Sequence, residues 1–194
     1  GRTDQGGNAA DGAYAYFVES WDDNGNVGKS KSGSVVVDNT APAAELKAPY
    51  LVFSPNGDGN KDTLPLELSG SAEVSWKGSI QDSQGQEVTG YEWKDGPPQS
   101  FQWDGKNAQG LLASDGVYTF RLAATDRAGN AFGAKLDNIL VSTLATPINI
   151  TISDSFFSPN GDSVKDTVLF ELGVPVTTGI EKWGLAVVNE RGEA

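Results

Sequence analysis

Apolar and polar residues alternate with a period of two along much of this chain. Tyr118, Phe120, Leu122 and Ala124 share one side of a stretch whose other side carries Val117, Thr119, Arg121 and Ala123. That spacing predicts a half-buried β-strand. Tyr14, Tyr16 and Val18 repeat the pattern, as do Leu64, Leu66 and Leu68, matched by Val168, Phe170 and Leu172. Val35-Val36-Val37 and Ile139-Leu140-Val141 are short continuous apolar strands. Turn signals separate them: Asp82-Ser83-Gln84-Gly85, Asp95-Gly96-Pro97-Pro98, Asp104-Gly105-Lys106-Asn107 and Asp126-Arg127-Ala128-Gly129-Asn130. Asp and Asn open such turns through a side-chain oxygen, and glycine supplies positive φ. No segment carries a helical apolar stripe. About seven short strands in ~100 residues predict an all-β chain of antiparallel β-sandwiches.

The pattern is itself repeated. Ser54-Pro55-Asn56-Gly57-Asp58 recurs as Ser158-Pro159-Asn160-Gly161-Asp162, 104 positions on. The same offset relates Lys61-Asp62-Thr63 to Lys165-Asp166-Thr167, Asp11-Gly12-Ala13-Tyr14 to Asp115-Gly116-Val117-Tyr118, and Gly25-Asn26 to Gly129-Asn130. Trp76 and Gly85 match Trp183 and Gly192 at an offset of 107, implying three extra residues in one loop of the last copy. Aligned on this period, Gly1 matches Gly105 and Ala194 matches Glu87.

The division expected is the back half of one repeat over 1–42, a complete repeat over 43–146, and the front half of another over 147–194. Pro42 and Pro147 mark the junctions, since proline cannot continue a ladder. Val141-Ser142-Thr143-Leu144-Ala145 differs from Val37-Asp38-Asn39-Thr40-Ala41, so identical junction geometry does not follow from the repeat. Tyr118, Phe120, Leu122, Leu64, Leu66, Leu68, Trp76 and Ile80 are expected in the core of the complete copy. The two half copies are complementary, and pairing between chains would complete both. A permuted division, over about 1–100 and 105–194, is the alternative.

Composition narrows the chemistry. The 194 residues carry 14 basic and 26 acidic side chains, a net charge of −12. A nucleic-acid partner or an anionic membrane surface would need the opposite balance. With no His and no Cys, imidazole catalysis, thiol nucleophiles, zinc ribbons and disulfides are excluded. No apolar run reaches the ~20 residues of a membrane helix, and no charged-then-apolar leader opens the chain, so no membrane insertion is expected. The absence of Met and the loop-like start predict a piece of a longer protein.

Three candidate sites remain. In Phe53 to Thr63, the side-chain oxygens of Asn56, Asp58, Asn60 and Asp62 alternate on a glycine-rich loop, a way of wrapping Ca²⁺. The last copy keeps Asn160, Asp162 and Asp166 but has Val164 in place of Asn60. The other reading is a set of Asx turns in which the carboxylates cap backbone N–H groups. Trp103, beside Asp104, is read as a plug of the sandwich core, with a sugar-stacking platform as the alternative. The abundant carboxylates raise a glycosidase pair, but nearly all lie in turns beside Gly, Asn or Ser, which fits solvated loops.

The segment Phe53 to Thr63 resembles the opening of bacterial Ig-like domains found in large spirochaete and Bacteroidetes surface proteins and in gliding-associated C-terminal modules. Trp103-Asp104-Gly105, Gly110 and Asp115 to Leu122 resemble the Ig-like domain of the flagellar hook-capping protein. The Asp126 to Asn130 turn and the Val37 to Pro42 junction are similar to those of tandem bacterial Ig-like repeats. The resemblance implies tandem Ig-like β-sandwiches in an exported, non-catalytic protein, at the cell surface, outer membrane or periplasm. A structural spacer or adhesive module, with neighbouring repeats as partners, is the function expected. A calcium- or glycan-binding accessory module of a surface enzyme or adhesin is the alternative.

Overall fold

Alternation becomes architecture because each strand can bury only one face. The computed structural model describes residues 2–175, 180 and 182–193. The chain ends Gly1 and Ala194, aligned above with Gly105 and Glu87, lie outside the described residues. Among the described residues there is no helix.

The first segment forms β1 (Gly12–Tyr16), β2 (Glu19–Trp21), β3 (Val27–Lys29) and β4 (Gly33–Val37). β1 pairs antiparallel with β4, with Tyr14 opposite Val35, and β2 pairs with β3. The next strands are β5 (Ala44–Lys47), β6 (Val52–Phe53), β7 (Leu64–Gly70), β8 (Glu73–Gln81), β9 (Glu87–Gly96), β10 (Phe101–Trp103), β11 (Gly116–Thr125) and β12 (Ala131–Val141). They build a five-stranded sheet, β6-β12-β11-β8-β9, and a three-stranded sheet, β10-β7-β5. All pairs are antiparallel except β6 with β12, where Val52 and Phe53 run parallel to Leu140 and Val141.

The inner faces of both sheets meet in one core. Leu64, Leu66, Leu68 and Trp103 enter it from the smaller sheet; Phe53, Trp76, Ile80, Tyr118, Phe120, Leu122, Ala124, Ile139 and Val141 enter from the larger. All eight residues expected in the core are buried. No polar or charged side chain is buried among the described residues. The result is an all-β sandwich of the Ig-like kind.

By density of internal contacts, residues 1–143 form one unit and 144–194 another. Within the first unit, the side-chain amide of Asn130 donates to the Asp38 carbonyl at 3.1 Å. In the second unit, β13 (Asn149–Ile152) pairs antiparallel with β14 (Phe170–Gly173). The strands of each flanking segment thus pair within their own segment. Among the described residues, β1 to β4 pair with no strand of 60–90.

Candidate functional site

The loop after β6 is closed by its own side chains. Asp62 accepts from the Gly57 N–H at 2.7 Å through Oδ1 and from the Gly59 N–H at 2.8 Å through Oδ2. Asp58 accepts from the Asn60 N–H at 2.8 Å and from the Asn56 side-chain amide at 3.0 Å. Asn56 Oδ1 accepts from the Asp58 N–H at 3.1 Å. The Ser54 N–H donates to the Lys61 carbonyl at 2.9 Å, and Lys61 takes a φ of 52°.

The second loop repeats this bond for bond. Asp166 accepts from Gly161 and Ser163, Asp162 from Val164 and the Asn160 amide, and Asn160 from Asp162. Ser158 donates to Lys165, which has a φ of 54°. Asn60 enters this network through its backbone N–H, which is why Val164 can replace it. The other three candidate side chains in each copy (Asn56, Asp58 and Asp62; Asn160, Asp162 and Asp166) are brought together as Asx turns.

A lysine follows the same position in each loop. Lys61 Nζ lies 5.4 Å from the centre of the Tyr50 ring. At the equivalent place in the last copy, Lys165 Nζ lies 2.7 Å from Asp154. Tyr50 and Asp154, 104 residues apart, thus hold the same place beside the two lysines.

The two motifs of the complete copy meet. The Phe53 and Trp103 rings pack edge to face at 5.3 Å, and Trp103 meets Tyr118 in the same way at 5.3 Å. Trp103 is only 1 % exposed and donates its indole N–H to the Lys106 carbonyl at 2.9 Å. It is a core plug, with no ring face available for a sugar. Gly105 follows with a φ of +73°, and a Cβ built there would lie 2.6 Å from Pro55 Cγ.

Asp115 ties β11 to the end of β12: the Thr143 N–H donates to its carboxylate at 2.9 Å and the Thr143 hydroxyl at 2.9 Å. Asn39 donates its N–H to Asp11 at 2.7 Å in the first segment. The junctions therefore share this backbone bond, and in each the side chain of the same residue also donates to the carboxylate, the Thr143 hydroxyl to Asp115 and the Asn39 amide to Asp11. Tyr118 donates its hydroxyl to the Ser114 carbonyl, and Tyr14 does the same to Ala10. Asp126 accepts from the N–H groups of Ala128 and Asn130 and from the Asn130 side chain; Asp22 accepts from Asn24 and Asn26 likewise. The Asn130 side chain, above all, holds the Asp126 carboxyl below its ordinary range, as Asn26 does for Asp22. Sequence reasoning noted the recurrence of Asp11 and Asp115 without assigning their role. Their constant distance of 28 residues from Asn39 and Thr143 was the available signal.

Acid–base chemistry finds little support in this arrangement. A shallow depression of about 510 Å³ on the outer face of the larger sheet is lined by Glu87, Glu92, Lys77 and Arg121 among others. Glu92 is bonded to Lys94 and Ser75, and those bonds, Lys94 first, hold its carboxyl low. A general acid needs the opposite shift. Among the described residues, no three acidic side chains gather as a metal-holding group.

Residues 52–128, which run from β6 into the turn after β11, match the family model for the FlgD Ig-like domain. Among solved structures, dimeric latent PorU from Porphyromonas gingivalis is similar at 16 % identity and a TM-score of 0.41. The match covers 71 % of this chain and 13 % of that one. A tetra-tandem repeat from the extending region of a large adhesion protein is similar at 20 % identity and a TM-score of 0.41, covering 84 % of this chain and 45 % of that one. The chain thus spans less than half the length of either. No curated protein matches the sequence.

Proposed function

We propose that this chain is a non-catalytic, Ig-like segment of an exported bacterial surface protein, acting as a structural spacer that holds its neighbours at a defined separation. One observation carries the reading. The residues that could have done chemistry are the ones that hold the fold: Asp62 closes its loop, Trp103 fills the core and Asp115 fastens the strand that leads out. The Asn130 to Asp38 bond gives a spacer what it needs, a linker held to the sandwich rather than swinging from it. Neighbouring repeats are the partners in this reading, and the acidic surface keeps an exported array soluble and self-repelling.

Pulling the whole chain from its ends tests it. One main unfolding event should release the residues between Ala44 and Val141, about 340 Å of contour at ~3.5 Å per residue. Extension without a resolved event would sink the spacer role. The calcium-binding accessory reading is tested beside it by calcium titration and chelation. A ligand that binds only the folded state raises the melting temperature, so a rise with calcium that chelator reverses would favour that reading. An unchanged melting curve is the outcome expected of loops closed by N–H groups.

A further inference from the structure

We propose that an open cleft at the end of the sandwich from which β12 leaves is a binding site for a neutral saccharide. The inference stands apart from the spacer reading, since neither needs the other. The cleft holds about 460 Å³, a size that suits small ligands, between the β8–β9 turn and the connection from β10 to β11. Ser83 and Gln84 line it from the turn, Asn107, Gln109 and Leu112 from the connection, and Val117 from the start of β11. Gln84 and Gln109 enter their turns through backbone N–H groups, donated to Asp82 and Asn107, so their side-chain amides are left for a ligand. Asn107 spends only its Oδ1 on the turn, which leaves its amide nitrogen as a donor.

The lining selects the ligand class. Its charged members are Asp82, Glu87 and Asp115, with no lysine or arginine beside them. Such a site repels a phosphate, a sulfate or an acidic sugar. Asp82 and Asp115 already serve backbone N–H groups, and no metal-holding cluster forms among the described residues. Amides and hydroxyls both donate and accept, which is what the hydroxyls of a sugar ring need. Leu112 is 55 % exposed and Val117 47 %, apolar surface for the C–H face of such a ring. The repeats show that the fold does not demand this lining. Asn107 and Gly110 close their turn as Thr3 and Gly6 do, and the bridge between Lys106 and Leu112 recurs between Arg2 and Asn8. Asp82 and Gly85 close theirs as Asn189 and Gly192 do. On these constant frames the side chains differ. Asn107, Leu112 and Val117 stand where the first segment has Thr3, Asn8 and Ala13, and Gln84 stands where the last has Arg191. The sandwich that follows the first segment leaves the counterpart loop over 2–8 exposed, so a repeat attached at this end does not of itself close it.

The test is calorimetric titration of the full chain with short neutral gluco-, manno- and xylo-oligosaccharides, beside oligogalacturonate as an acidic counterpart. At least one neutral member should bind at up to about 10 mM, the range of weak sites, and oligogalacturonate should not. Gln84→Ala and Gln109→Ala should each weaken binding about two- to tenfold, the loss of one neutral hydrogen bond, and the double variant should lose it. Both residues are exposed, and an unchanged melting temperature checks that the variants fold. The emission of buried Trp103 should not move, which separates this cleft from a sugar platform on that ring. Binding by none of the neutral members overturns the inference. So does binding that survives the double variant, a preference for oligogalacturonate, or a response to calcium alone. The unfolding event expected of a spacer is read separately by pulling, so the two readings fail independently.

Discussion

Gly105 lies against the ring of Pro55, so close that a Cβ on the glycine would sit 2.6 Å from Pro55 Cγ. The contact joins the loop that opens the complete copy to the turn that follows β10, and no side chain fits between them. Gly110 makes a natural control, with a similar φ of +79° and nothing within 4 Å of its virtual Cβ. Gly110→Ala should cost only the left-handed backbone term, about 1 kcal/mol. Gly105→Ala adds overpacking and should cost about 2–4 kcal/mol. Chemical denaturation of the two variants separates the effects, and equal losses would mean the Pro55 contact yields freely.

The Asx loop makes a paired prediction. Asp62→Ala leaves the Gly57 and Gly59 N–H groups without their acceptor and should destabilise by about 1–2 kcal/mol. Asn60→Val should stay within about 0.5 kcal/mol, because that position contributes its backbone N–H and the last copy already carries Val164 there. A large loss for Asn60→Val, appearing only in the presence of calcium, would show its side-chain oxygen at work on a metal.

Truncating Trp103 to Ala should remove about 3–5 kcal/mol, the usual cost of emptying a large core site. Before truncation, its fluorescence should resist a soluble quencher and be unmoved by polysaccharides. Spectral change on adding a glycan would restore the sugar-platform reading.

Acid should loosen the turns. The Asp126 carboxyl sits below its ordinary value of 3.8, chiefly through the Asn130 side chain, and Asp22 does so through Asn26. As pH falls, the unfolded chain takes up protons at these sites before the folded one does. The stabilisation is therefore present above the ordinary value and lost as pH drops through the lowered one. The melting temperature should be nearly flat from about pH 7 to 5 and fall below about pH 4. Asp126→Asn should shrink that acid-side fall; an identical acid profile would assign it to other carboxylates.

At high pH the tyrosines take over. Burial, and then the Asp104 charge, push the Tyr91 hydroxyl up to about 12. Its folded form favours the neutral ring, so that contribution is whole below about pH 10 and lost as pH rises toward 12. Phenolate absorbance should show a late-titrating tyrosine, missing in Tyr91→Phe.

Much of this was written in the chain because local rules act on neighbouring residues. Period-two alternation over Leu64 to Leu68 and Tyr118 to Leu122 named the buried faces, since a strand turns successive side chains to opposite sides. Asp-Gly and Asn-Gly pairs named the turns, because side-chain oxygens cap N–H groups only a few positions away. The 104-residue offset foretold bonds that do recur, from Tyr14 and Tyr118 to Asp58 and Asp162.

Tertiary structure alone decided which distant residues met. That Pro55 would rest on Gly105, that Asn130 would reach Asp38, and that β6 would lie parallel to β12 are facts of sheet packing, which no short window of sequence encodes. It also shows the direction of the loop's side chains, whose oxygens accept from N–H groups of their own loop. Spacing along the chain places the oxygens on alternate residues, but the N–H each one meets depends on backbone dihedrals such as the φ of 52° at Lys61, which spacing does not encode.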